Sequence, residues 1–220
     1  WLVERLVAED TGAKLDELTI PQLCEKRCKM HFGAKAESRY QMLSSAYQLI
    51  QAGNYHCPDN FKDILRQYQE TDSGLDYEYR RFYSAYDQID DTTVFEPLRD
   101  LVENIYTNEY LETLLPKWNR AIQEPDTFTQ LPLQRDFYAR NIKNAKERTV
   151  VIISDAMRYE VGKELFRRMQ DDPKCSAKLE VQLSVLPSYT RLGMAALLPH
   201  TELTCLLYTS PSPRDGATSR

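Results

Sequence analysis

The chain has 220 residues, 42% of them hydrophobic and 28% charged, with a formal net charge of −5. That balance describes a globular protein with one or two real cores. It excludes a bilayer-spanning chain, because no apolar run approaches the roughly 20 residues a membrane needs, and it gives no whole-chain attraction to nucleic acid or anionic lipid.

Seven glycines against fourteen tyrosines suggest a helical, aromatic-rich body. The five cysteines (Cys24, Cys28, Cys57, Cys175, Cys205) show no disulfide-scaffold spacing. Reduced thiols, and so a cytoplasmic protein, are expected. The first residue is Trp1 rather than Met, so a missing leader carries no weight here.

Residues 1–146 read as a series of helices. "PQLCEKRCKMHFG" opens at Pro21 and closes at Gly33, a start and stop pair. "AKAESRYQMLSSAYQLIQAG" sets Tyr40, Leu43, Tyr47 and Ile50 at helical spacing. "NFKDILRQYQETDSG" is a shorter helix with Asn60 as its cap. "DYEYRRFYSAYDQI" carries the stripe Tyr79, Phe82, Tyr83, Tyr86. "FEPLRDLVENIYTNEYLETLLPKWNRAI" is one long helix or two, with Pro116 as the expected break. "PLQRDFYARNIKNAKE" is a further helix.

Around Arg148 the pattern changes. "TVVII" (residues 149–153) is an apolar, β-branched run, as expected of a strand covered on both faces. "RYEVGKELFRRMQ" is a helix with Val161, Leu165 and Met169 turned inward. "KLEVQLSVL" alternates, with Leu179, Val181, Leu183 and Val185 on one side of a second strand. "TRLGMAALLPH" is a helix from Thr190, with Pro199 past its end. The expected fold class is therefore α/β: a helical region (1–146), then the first βαβα units of a parallel sheet (147–204).

In open parallel sheets ligands collect at the carboxyl ends of the strands. Asp155 stands at one such end, and Thr190 follows the other and opens a helix. A carboxylate supplies hard oxygen ligands to a divalent metal. Metal coordination would turn a Thr hydroxyl into a nucleophile, and a helix N-terminus favours a phosphoryl oxyanion. The competing reading is that both residues are helix caps.

The strings "VVIISDAMRYEVGKEL" and "VLPSYTRLGMAALLPH" resemble the PglZ family, within the alkaline phosphatase superfamily. Such proteins belong to bacterial phage-defence systems of the BREX (bacteriophage exclusion) type. The resemblance covers residues 149–200. It implies that Asp155 is a metal-binding carboxylate and that Thr190 is both nucleophile and metal ligand, with Ser188 as the fallback nucleophile. It implies a divalent metal, zinc foremost, and hydrolysis of a phosphate ester or diester, with nucleic acid or nucleotide as the substrate class. Other BREX components are the implied partners. Tyr189 and Arg158 are pocket candidates, Arg158 having a helix-surface ion pair with Glu160 or a neighbour as its alternative. The superfamily completes its site with Asp and His residues from later strands, a role that neither His200 nor Asp215 fits. A non-catalytic scaffold of the same defence complex is the alternative function.

"CLLYTSPSPRD" (Cys205 to Asp215) breaks the preceding composition and resembles the translation of a transposase-end sequencing adapter. Residues 205–220 are accordingly read as non-native, the alternative being a natural Ser/Pro-rich tail. Together with Trp1, this leads us to expect a fragment cut at both ends, which in isolation is expected to bind catalytic metal weakly or not at all.

Three further features have bland readings. Cys24, Cys28 and His31 share a helix face and, with His56 or Cys57, offer a zinc site or simply a core face. The aromatic stripe flanked by Arg80 and Arg81 is a nucleic-acid clamp or core. "ARNIKNAKER" is a substrate-facing basic run or a solvated helix face.

Overall fold

Helices begin where local chemistry satisfies their free N–H groups. The computed structural model describes residues 1–31, 33–124, 127, 131–155 and 157–203. The tail from Cys205 to Arg220, with Asp215, lies outside the described residues. The chain forms two compact units, one of residues 1–127 with 157–179, the other of residues 128–156 with 180–220.

The first unit opens with α1 (Leu2–Val7) and a hairpin of β1 (Lys14–Leu15) and β2 (Leu18–Thr19). Its turn residues Asp16 and Glu17 sit at φ 49° and 62°, the left-handed pair that a two-residue hairpin demands. α2 (Ile20–Cys28) starts with a capping box, the Thr19 amide donating to Gln22 Oε1 at 3.0 Å. Pro21 stands at its start as expected. Gly33 does not close this helix; it opens α3 (Gly33–Gln51). A Cβ at that position would lie 2.0 Å from the Cys28 carbonyl oxygen, so only glycine fits the corner.

α4 (Phe61–Gln67) is capped by Asn60, whose side chain accepts from the Asp63 amide at 2.9 Å. It does not stop there. It widens into a π-helical segment (Tyr68–Asp72) and continues as α5 (Ser73–Tyr86). Likewise α6 (Glu96–Glu103) passes through a second π-helical segment (Asn104–Leu111) into α7 (Glu112–Ala121). Pro116 lies inside α7 and does not break it. The wider turn just before α7 shifts the backbone register ahead of the proline ring. The segment expected as a helix over 132–147 is instead a 3₁₀ turn (Gln134–Asp136) and a π turn (Tyr138–Ile142).

Helix α3 packs mainly on α5, and α1, α2 and α6 also lie against it. Leu6, Ile20, Met42, Leu49, Phe82, Leu98 and Val102 are at most 1% exposed and form the core. Each such burial contributes about 1.5–3 kcal/mol. The aromatic stripe of α5 belongs to this interior. Phe82 is fully buried, while Tyr79 and Tyr83 both donate to Glu103 Oε2, at 2.8 and 2.7 Å.

α8 (Tyr159–Gln170) packs on α5 within the first unit. Its expected inward face is wrong in two places. Leu165 is 48% and Met169 38% exposed, whereas Glu160 is 2% exposed. The seam is polar: Lys163 Nζ donates to the Gln69 carbonyl at 2.6 Å and to Ser73 Oγ at 3.2 Å. It thereby donates to a backbone carbonyl of the π-helical segment.

The second unit holds α9 (Thr190–Leu197), as expected. The parallel sheet is not formed among the described residues. Their only sheet is the β1–β2 hairpin. Residues 149–153 pair with nothing that makes a ladder; Val150 is 75% and Ile152 88% exposed. A strand needs partners for its N–H and C=O groups and a layer over each face; among the described residues this segment joins no ladder, and of 149–153 only Ile153 is partly covered. Residues 179–185 keep the expected alternation, with Leu179, Val181, Leu183 and Val185 less exposed than their neighbours. They make only a parallel bridge, Leu183 to Leu133.

Candidate active site

Thr190 is the first residue of α9, exposed, and preceded by Tyr189 in the cap position. It is not the cap, and no side chain caps that end. The amides of Thr190, Arg191 and Leu192 therefore have no helical acceptor, the first bond being Gly193 N–H to the Tyr189 carbonyl at 3.0 Å. Ser188 is exposed just upstream, and Tyr189 is 41% exposed.

Asp155 lies in a turn, exposed, at the end of the 149–153 run. It does not stand at a helix cap position either, since that position of α8 is held by Arg158, whose side chain makes no capping bond. Asp155 and Thr190 fall in the same unit. Arg158 falls in the other unit, where its charge reaches Tyr106. The expected Arg158–Glu160 pair does not form among the described residues; Arg80 Nε instead lies 3.6 Å from Glu160 Oε1. His200 is exposed, with Nδ1 2.8 Å from the Leu198 carbonyl oxygen.

Sequence reasoning missed the residue that ties this region together. The Gln134 amide donates to the Leu183 carbonyl, and the Leu183 amide to the Pro132 carbonyl, both at 2.8 Å. The Gln134 side chain accepts from the Val185 amide at 3.1 Å and donates to the Gly193 carbonyl at 3.2 Å. One glutamine thus links the segment leading to Thr190 with the helix that Thr190 starts. A cavity of about 420 Å³ lies beside it, lined by Leu133, Leu183, Val185, Leu186 and Leu192 among others. No sequence signal marks Gln134 within its polar surroundings.

A catalytic zinc takes three protein ligands. The resemblance offers only two oxygen ligands here, on Asp155 and Thr190, and no group of three or more His, Cys, Asp or Glu side chains converges among the described residues. The residues present do not by themselves fit a zinc centre. The Cys24 face is no better: Cys24 and Cys57 are buried, Cys28 is half-buried and His31 exposed.

Residues 136–211 match the family described as the BREX system PglZ alkaline phosphatase-like domain, a stretch that contains Asp155, Gly193 and Thr190. The chain is 39% identical over 194 residues to an alkaline phosphatase-like protein PglZ of Bacillus cereus (strain H3081.97), covering 83% of this chain and 23% of that protein. It is 32% identical over 221 residues to an alkaline phosphatase-like protein BrxZ of Escherichia coli O9:H4 (strain HS), covering 92% of this chain and 25% of that protein. The chain thus spans about a quarter of the length of these relatives. No solved structure matches it.

Proposed function

Since the chain belongs to the PglZ family of BREX alkaline phosphatase-like proteins, we propose that it carries the opening part of a phosphoesterase site, with Thr190 as nucleophile. The observation that carries this reading is the position of Thr190. It is exposed at the first turn of α9, free of a capping role, beside amides that lack helical acceptors. The Thr190 hydroxyl would attack phosphorus, its proton ending on the leaving alkoxide as the new O–P bond forms and the old one breaks, and water would then hydrolyse the phosphothreonine to free Thr190. The amides of the first turn would receive the developing charge on the phosphoryl oxygens. Asp155 and Thr190 would be two ligands of a divalent cation, zinc by family resemblance, and the rest of its ligands would come from the three quarters of the relatives' length that this chain does not span. The same absent length would supply the strands that pair with residues 149–153 and 179–185 in a parallel sheet. Nucleic acid or nucleotide is the proposed substrate class, and other BREX components, in the cytoplasm, the proposed partners. Among the described residues no helix is long and apolar enough to cross a membrane. Residues 205–220 are proposed to be non-native, a reading that the family match, which runs to residue 211, supports only from residue 212 on.

The test uses a full-length relative carrying these residues. Thr190→Ala should lower phosphodiesterase turnover by a factor of about 10² or more, with association with other BREX components unchanged; Ser188→Ala should leave turnover near wild type. Unchanged turnover in the Thr190 variant would overturn Thr190 as nucleophile, and absence of turnover in the unaltered relative would leave the scaffold reading standing.

A further inference from the structure

The helical unit contains a cavity of about 270 Å³ that the phosphatase reading does not use. Its walls include Tyr68, Asp76, Tyr106, Tyr110, Trp118 and Leu115. Tyr68 comes from the first π-helical segment, Tyr106 and Tyr110 from the second. π turns are rare and recur at functional sites, and here both reach the same cavity.

Asp76 accepts hydrogen bonds from Tyr68 Oη at 2.6 Å and Tyr106 Oη at 2.9 Å. Among the described residues no Lys, Arg or His forms an ion pair with it, Arg158 included. Tyr110 is 2% exposed, and its hydroxyl has no hydrogen-bond partner among the described residues. A buried hydroxyl left so is costly to the fold. Burial first, then the charges of Asp76 and Asp72, push the Tyr110 phenol well above its ordinary pKa, so it stays protonated. Asp72, 3% exposed, also has no cation paired with it among the described residues. The cavity therefore combines a carboxylate with no ion-pair partner among the described residues, aromatic walls and a phenol oxygen without a hydrogen bond there.

We propose that this cavity binds an alkylammonium group. Its N–H groups would donate to Asp76 and to the Tyr110 oxygen, and the rings of Tyr68, Tyr106 and Trp118 would offer the electron-rich surface that attracts such a cation. Its alkyl part would lie against Leu115, 47% exposed, and the neighbouring leucines. The volume is below that of a drug-sized pocket and suits a small amine or the end of a lysine side chain.

Calorimetric titration of the 220-residue chain with isopentylammonium, Nα-acetyl-lysine amide and neutral isopentanol tests this. At least one amine should bind saturably and at least tenfold more tightly than the alcohol, and the tighter amine identifies the source of the group. Asp76→Asn should cost a further tenfold or more, and Tyr110→Phe a smaller loss. Should Asp76→Asn fail to fold, the amine–alcohol comparison on the unaltered chain decides. Equal binding of alcohol and amine, or no saturable binding of either amine, would overturn the proposal.

Discussion

A cysteine's reactivity is set by where its sulfur sits, and this chain holds the contrast within one molecule. Cys24 is 2% exposed, and burial, with a smaller contribution from Cys28, pushes its thiol up to about 12. Burial likewise raises Cys57, which is fully buried. Cys175 is exposed in the segment after α8. The thiolate is the reacting species, so at pH 8 Cys24 combines a negligible ionised fraction with no access. Iodoacetamide should label Cys175 first and leave Cys24 and Cys57 intact until denaturant is added, as read by peptide mass spectrometry. Labelling of Cys24 as fast as Cys175 would mean that the α2 face is open, and would return the zinc reading of that face to consideration. The same residue shows how little a spacing pattern decides. Cys24, Cys28 and His31 share a helical face in sequence, yet burial divides them.

At the scale of elements, what the sequence made legible was punctuation. Pro21 and Asn60 act through their own backbone or side chain within a turn or two, so their effects need no distant partner. The π-helical segments were not legible, because their register is settled by tertiary fit: Lys163 from α8 must reach the Gln69 carbonyl. The buried face of α8 was misread for the same reason, since Glu160 faces Arg80 rather than an apolar layer. In the candidate site, Thr190 and Asp155 were visible as residue types at element ends, whereas Gln134 acts across some 50 residues of chain. Gln134→Ala removes both side-chain bonds, each worth about 0.5–1.5 kcal/mol. The Val185 amide and the amides of α9 should then exchange with deuterium faster, while those of α3 and α5 keep their protection. Unchanged exchange in α9 would show that the glutamine does not hold that helix.

For the molecule as a whole, the exposed run at residues 149–153 has the largest consequence. Val150, Val151 and Ile152 are 75%, 44% and 88% exposed, in a β-branched segment whose backbone joins no ladder among the described residues. Such a segment seeks pairing, and in a chain expressed alone another copy is the partner at hand. The 220-residue chain should therefore self-associate as its concentration rises, seen as a growing mean mass in light scattering. Ile152→Lys should reduce that association, because a charge at an exposed position opposes stacking and costs the fold no more than about 0.5 kcal/mol. The cavity lined by Asp76 draws on other residues, so ammonium binding should persist in the variant. If the unaltered chain stays monomeric at high concentration, residues 149–153 do not act as an open strand edge, and the proposed sheet loses its main physical support. If instead Ile152→Lys disperses the aggregates, the run behaves as an unpaired strand, which is the state that strands from the longer relatives would relieve.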